Sequence, residues 1–205
     1  MARAGSMRNA GRRIGLLGGS FNPAHEGHLY ISHQALARLG LDEVWWLVSP
    51  QNPLKPEADM AAFDSRLEIA NSVAWDRRIR VSAIEAELGT RYTADTIAAL
   101  QNRYPAAGFV WMMGADNLIQ IPRWRAWTQI FNTIPIAVFA RDSYDSKALS
   151  ERAAIRFRYA RLPERAARLL PDATSPAWVF LRIKSHPATA TALRQSSSWP
   201  TDRMN

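Results

Sequence analysis

The chain has 205 residues, 47% of them hydrophobic, and no cysteine, which is enough material for one sizeable core and excludes disulfides, thiolate metal centres and cysteine nucleophiles. No apolar run approaches the roughly eighteen residues of a membrane helix. The basic opening MARAGSMRNAGRR has no apolar segment behind it, so it does not read as a secretory signal, and a cytoplasmic protein is expected. The formal net charge of +8 invites a nucleic-acid partner. However, much of the excess lies in that opening stretch and in Arg152 to Arg168, which reads as a solvated helix, and a positive field equally steers small anions to a cleft.

Residues 1–12 read as a disordered basic tail, with Met7 as an alternative start, residues 13–195 as one domain and residues 196–205 as a flexible tail. In chain order, Ile14–Leu17 is predicted as a buried strand and Leu29–Leu39 as a helix stopped by Gly40. Strand Val44–Val48 follows, then a loop from Pro50 to Pro56 and helix Phe63–Ala74, whose Phe63, Leu67, Ala70 and Ala74 form one stripe. Next come strand Ile79–Ser82, helix Ala94–Tyr104 and strands Phe109–Met113 and Ile134–Phe139. Helix Lys147–Tyr159, strand Trp178–Ile183 and a short helix from about Thr191 complete the order, with Arg141–Ser146 and Leu162–Pro176 as surface connections. This alternation predicts an α/β fold, a Rossmann-like open and mostly parallel sheet with helices on both faces.

The stretch GGSFNPAHEGH, Gly18 to His28, lies where the first strand hands over to the first helix. In open α/β sheets ligands bind at that edge. The two commonest phosphate signatures, GxxxxGK[ST] and GxGxxG, are both missing. Gly18 and Gly19 nevertheless allow a phosphate close to the backbone, and the following helix directs N–H groups at the same space. His25 and His28 fall on one side of its first turn, as donors suited to the oxygens of a reacting phosphate. A zinc site would need more ligands, and His33 and His186 come with no close carboxylate pattern, so no protein metal ligand is assigned.

This stretch resembles the (T/H)xGH signature of the nucleotidylyltransferase superfamily. Further segments are similar to the bacterial nicotinate-nucleotide adenylyltransferases. They are Ser49-Pro50-Gln51-Asn52-Pro53-Leu54-Lys55, Asp64-Ser65-Arg66-Leu67, Arg91-Tyr92-Thr93-Ala94-Asp95-Thr96, Gly114-Ala115-Asp116-Asn117-Leu118 with Pro122-Arg123-Trp124, and Ala188-Thr189-Ala190-Thr191-Ala192-Leu193-Arg194. The match runs in order from about Ile14 to Arg194. Three positions depart from the pattern: Asn22 for a common aspartate, with a local turn role expected, Ala190 for a serine, and Leu54 for a histidine.

The resemblance implies adenylyl transfer from ATP, with magnesium carried on its phosphates, to nicotinate mononucleotide, yielding deamido-NAD and pyrophosphate without a covalent intermediate. It implies catalytic roles for His25, His28, Lys55 and Arg194. It also implies an ATP site formed by Gly18, Gly19, Ser20, Phe21, His25, His28, Gly114, Asp116, Thr189, Thr191 and Arg194. The mononucleotide site it implies consists of Ser20, Lys55, Tyr92, Thr93, Asp116, Trp124 and Arg125. Asp116 would hold a ribose hydroxyl or cap its helix, and Thr191 would cap the last helix. Small molecules are the expected partners, not nucleic acid or membrane. The competing expectations are a pantetheine-phosphate adenylyltransferase or a cytidylyltransferase, against which Tyr92–Thr96 and Trp124 speak, and a non-catalytic nucleotide- or RNA-binding module, against which the intact histidine pair speaks.

Overall fold

In the computed structural model the described residues are 11–50, 60–141 and 145–184. Seven strands form one sheet: β1 (Arg13–Gly19), β2 (Glu43–Val48), β3 (Ile79–Ser82), β4 (Gly108–Gly114), β5 (Ile136–Arg141), β6 (Arg161–Leu162) and β7 (Trp178–Ile183). Their order is β3-β2-β1-β4-β5-β7-β6, and every neighbouring pair is parallel. The reason is visible in β2, whose six residues EVWWLV are all buried. A strand with no polar face cannot sit at a solvated surface, and a parallel sheet covered by helices on both sides accommodates it. Side chains alternate between two cores. Leu16, Trp45, Leu47, Phe109, Trp111 and Val138 enter one, and Leu17, Val44, Trp46, Val110, Met112 and Phe139 enter the other.

The helices are α1 (Glu26–Leu39), α2 (Phe63–Val73), α3 (Ile84–Leu88), α4 (Thr93–Arg103), α5 (Ala115–Gln120), α6 (Trp127–Thr133), α7 (Asp145–Ser150) and α8 (Arg152–Arg156). Helix α1 ends on Gly40 in the left-handed region, at φ 67°, as its stop signal predicts. Between β1 and β4 the chain switches from building one half of the sheet to the other. In open α/β sheets such a switch point makes a ligand crevice at the C-terminal ends of the strands, here the edge shared by Gly19 and Gly114.

Several expectations need correction. The single helix expected over Lys147–Tyr159 is three pieces: α7, α8 and a 3-10 turn at Arg158–Ala160. The Ser150 hydroxyl donates to the Lys147 carbonyl (2.9 Å) and Glu151 is extended, which breaks the run. The solvated arginine helix of Arg152–Arg168 therefore does not exist as one element. The connection expected over Leu162–Pro176 is more than surface: it includes part of β6 and a 3-10 stretch, Glu164–Asp172, which buries Ala167 and Leu170 against a core. Strand β5 starts at Ile136, two residues later than expected, because Ile134 terminates α6. Gly11 and Arg12 are tied to the domain, Gly11 N–H donating to the Ala106 carbonyl and Arg12 pairing with Glu43. The loop over 51–56, the helix from Thr191 and residues 1–10 and 196–205 lie outside the described residues. No helix among the described residues is long and apolar enough to cross a membrane.

Candidate active site

Strand β1 delivers the chain to a tight turn. Gly18 faces Trp111, whose ring would lie 2.5 Å from any added Cβ, so only glycine fits there. Ser20, Phe21 and Asn22 are buried. Phe21 takes a left-handed backbone at φ 46°, a conformation costing of the order of 1 kcal/mol or more in a non-glycine residue. Packing holds it there. Its ring stacks on Trp46 (5.2 Å between centroids) and leans on His28 (4.8 Å). The Asn22–Pro23 bond is cis. The Asn22 side chain does more than shape its own turn, since Oδ1 accepts from the Ala61 N–H (3.2 Å).

His25 is the N-cap of α1, and His28 is its third residue. The two imidazoles replace the usual hydroxyl and carboxylate of a capping box. His25 Nδ1 accepts from the Gly27 N–H (3.0 Å), and His28 Nδ1 accepts from the His25 N–H (3.2 Å). An Nδ1 that accepts a backbone hydrogen bond carries no proton, so each neutral ring holds its proton on Nε2. The sequence at the turn thus sets the tautomer of both rings, and their centroids lie 4.0 Å apart. The turn is also tied to β2, where Trp46 Nε1 donates to Ser32 Oγ (2.8 Å) and Ser32 donates to the His28 carbonyl (2.9 Å).

Arg66, on α2, is 1% exposed. Its guanidinium donates to four carbonyls: Nε to Ala61 (3.0 Å), Nη1 to Ser20 and Ser49 (2.7 Å each) and Nη2 to Pro50 (2.9 Å). It thereby binds the end of β1 to the end of β2 and the root of the segment carrying Lys55. Burial pulls its pKa below the ordinary arginine value.

On the far side of the crevice, Tyr92 is the N-cap of α4 and Thr93 its first residue, one residue before the expected start at Ala94. Arg125 lies over the Tyr92 ring, 4.8 Å from its centroid, and pairs with Asp95 (3.2 Å). Trp124 follows a 3-10 turn at Ile121–Arg123 with extended backbone, packs partly buried against the first core, and its Nε1 has no hydrogen-bond partner among the described residues. Asp116 is the second residue of α5 and not its cap, a position held by Gly114 with no side-chain hydrogen bond. A side chain at Gly114 would collide with the Asp116 carboxylate. Glu85, on α3, is buried beside Thr96, and burial raises its pKa above the ordinary value despite hydrogen bonds from the Thr96 and Ser49 hydroxyls.

The structure therefore gathers Gly18, Gly19, Ser20, Phe21, His25 and His28 into one turn, and joins Tyr92 to Arg125. Lys55, Thr189, Thr191 and Arg194 lie outside the described residues. Arg66, Ser49 and Glu85 were not among the expected site residues. For Arg66 the only signal was its place in the Asp64–Leu67 segment. Among the described residues no group of three or more metal-ligating side chains is assembled. An open depression of about 620 Å³ lined by Gly11, Arg12, Asp42, Glu43, Arg77 and Arg78 sits at the opposite edge, where the strands begin. Arg12 and Arg78 there are paired with Glu43 and Asp76, so the switch-point edge remains the better candidate.

The cytidylyltransferase-like family profile matches residues 16–195. A probable nicotinate-nucleotide adenylyltransferase of Parvibaculum lavamentivorans is 54% identical over 189 residues, covering 92% of this chain and 94% of its own. The chain belongs to the nicotinate-nucleotide adenylyltransferases of the cytidylyltransferase-like family. A second adenylyltransferase so described, from Methylorubrum extorquens, is 50% identical over 89% of this chain and 98% of its own. Among solved structures, the Plasmodium falciparum nicotinic acid mononucleotide adenylyltransferase complexed with NaAD superposes with a TM-score of 0.67 at 14% identity, covering 89% of this chain and 82% of its own. That likeness supports the adenylyltransferase fold.

Proposed function

We propose that this nicotinate-nucleotide adenylyltransferase joins ATP, entering as its magnesium complex, to nicotinate mononucleotide in NAD biosynthesis by direct in-line attack. A phosphate oxygen of the mononucleotide forms a bond to the α-phosphorus of ATP. The bond from that phosphorus to the oxygen bridging to the β-phosphate breaks, and pyrophosphate leaves with the electron pair. Deamido-NAD is the product, and no covalent enzyme intermediate forms.

The observation that carries this reading is the paired imidazole cap. With Nδ1 of both rings accepting backbone hydrogen bonds, His25 and His28 offer their Nε2–H groups as pre-set donors. These donors would meet the triphosphate and the charge that builds on it in the transition state. The Gly18–Phe21 backbone and Gly114 give the nucleotide close approach, and Asp116 accepts from a ribose hydroxyl. Lys55 and Arg194 neutralise phosphate charge, the former as a point charge and the latter as a planar fork. Thr189 and Thr191 present hydroxyls and backbone N–H groups to the phosphates. Ser20 and Lys55 border the mononucleotide phosphate.

The pyridine ring stacks on Trp124 and is flanked by Tyr92 and Arg125. Helix α4 begins at Thr93, and the N–H groups of Thr93 and Ala94 at its start would donate to the ring's edge. A carboxylate only accepts hydrogen bonds, whereas a carboxamide would turn its NH2 towards those donors. Nicotinate is therefore favoured over nicotinamide. The test is pyrophosphate release from purified protein with ATP and each mononucleotide. A kcat/KM for nicotinate mononucleotide at least about tenfold above that for nicotinamide mononucleotide is expected. Equal values, or a preference for the amide, would overturn the assignment.

A further inference from the structure

Glu85 takes no part in the chemistry proposed above, yet it is a carboxyl group 7% exposed, close to the acceptor side. Its side chain accepts from the Ser49 hydroxyl at the end of β2 and from the Thr96 hydroxyl (3.2 Å) in α4. Its own backbone carbonyl accepts from the Thr90 N–H (3.0 Å). The Thr96 hydroxyl lies 2.9 Å from the Thr90 hydroxyl and 3.3 Å from the Tyr92 carbonyl. A hydroxyl has one proton, so Thr90 donates to Thr96 and Thr96 donates on to Glu85. The Thr90 end of the Thr90–Tyr92 segment is thus fastened to Glu85 and Thr96, and at the other end the Tyr92 carbonyl accepts from the Thr96 N–H (3.0 Å). Gly89, left-handed at φ 63°, lets the chain leave α3 and return to it.

The fastening continues across the crevice. Ser49 is gripped through its carbonyl by Arg66, which also holds Ser20 beside the histidine turn. A continuous polar chain, Ser20–Arg66–Ser49–Glu85–Thr96, therefore runs from one substrate side to the other. A buried carboxyl group with hydroxyl partners contributes little to stability compared with an apolar residue of the same size. Its place in this chain gives it another use.

We infer that Glu85 is a positioning residue for the pyridine mononucleotide, setting the Thr90–Thr93 segment at a fixed distance from the end of β2. The inference rests on Tyr92 and Thr93 bordering the acceptor, as proposed above. It is tested by steady-state kinetics with both substrates varied, for the parent enzyme and the variants Glu85→Ala, Glu85→Gln and Thr96→Val. Alanine at 85 and valine at 96 should each raise the KM for the mononucleotide about tenfold, the scale of one lost charged hydrogen bond, and leave the KM for ATP within about twofold. Glutamine at 85 should recover most of the loss, because its oxygen accepts from Thr96 and its NH2 donates to Ser49 Oγ. The double variant Glu85→Ala/Thr96→Val should be no worse than either single one. Equal rises in both KM values, no rise, or a Glu85→Gln as impaired as Glu85→Ala would overturn the inference. If Glu85→Ala does not fold, Thr96→Val against Glu85→Gln makes the same comparison. A parent inactive with nicotinate mononucleotide would overturn the proposed reaction and this inference together. An active parent whose variants show no selective KM change would overturn the inference alone.

Discussion

The hydrogen bonds that seat His25 and His28 join residues two to four apart in the chain. Those that position the opposite side of the crevice span more, 11 residues from Thr96 to Glu85 and 30 from Arg125 to Asp95, and the bond from Arg66 to Ser20 that ties the histidine turn to α2 spans 46. The two regions share one edge of one sheet but depend on the fold differently. The histidine turn carries its own geometry and needs only a platform, which Trp46 and Phe21 provide. The acceptor side has short bonds of its own, such as Thr96 to Thr90, but its position against the strand ends is set only when β2, α2, α3 and α4 are in place. Damage to the first should therefore appear as lost chemistry in a stable protein, and damage to the second as lost stability or lost substrate binding.

The largest effect should follow from Arg66→Met, which leaves the buried Ser20 carbonyl and the partly buried carbonyls of Ala61, Ser49 and Pro50 without their donor. A loss of about 3–5 kcal/mol is expected, a large part of the stability of a chain this size. Urea unfolding followed by circular dichroism measures it. A midpoint equal to the parent's would mean that the guanidinium does not hold the strand ends together.

His28→Ala should do the reverse. Removing one pre-set donor should lower kcat about a hundredfold or more. The cap hydrogen bond it also removes is worth about 1 kcal/mol, or roughly 2–4 °C in Tm for a chain of this length. Near-parental turnover by the folded variant would break the assignment of the histidine pair. Trp124→Ala comes next. It should raise the KM for the mononucleotide about tenfold, through lost stacking and lost buried area, and leave the KM for ATP nearly unchanged. A rise shared by both substrates would place Trp124 in the general packing of the first core.

This difference in range also explains what could be read in the sequence. Strand β7 falls at its expected residues because a parallel strand covered on both faces writes itself as an apolar run, Trp178 to Leu181, while the edge strand β3 falls at its expected residues with Ile79 alone buried. The turn from Gly18 to His28 was legible for the same local reason. Helix α3 escaped because five residues cannot show a helical period. In α2 the expected stripe was found only in part: Ala70 is fully buried, while Phe63, Leu67 and Ala74 are partly so. The most buried large side chain there is Arg66, and a charged residue on a helix reads as a solvated one until the carbonyls it serves are brought to it from elsewhere in the chain. Glu85 was hidden likewise, since nothing near it in sequence announces Ser49.

The smallest expected effect sharpens the comparison through pH. Burial raises the Glu85 pKa above its ordinary value of 4.5 more than the two hydroxyls lower it. The folded protein therefore binds the Glu85 proton more tightly than the unfolded chain does. The stability this contributes is fully present below the unfolded pKa and is lost as pH rises through the folded one. Glu85→Gln cannot titrate and lacks this loss. Its Tm minus the parent's should accordingly increase as pH rises from about 4.5 towards neutrality. Differential scanning calorimetry of both proteins across that range makes the measurement, and taking the difference cancels the other carboxylates. A difference that stays level would show that Glu85 keeps an ordinary proton affinity, and one that falls as pH rises would mean the carboxylate is stabilised where it lies. The first result would make the acceptor side an electrostatically ordinary region, and the second would make Glu85 a favourably bound carboxylate. An increase would confirm that this half of the crevice is held by a buried group whose cost the local sequence does not reveal.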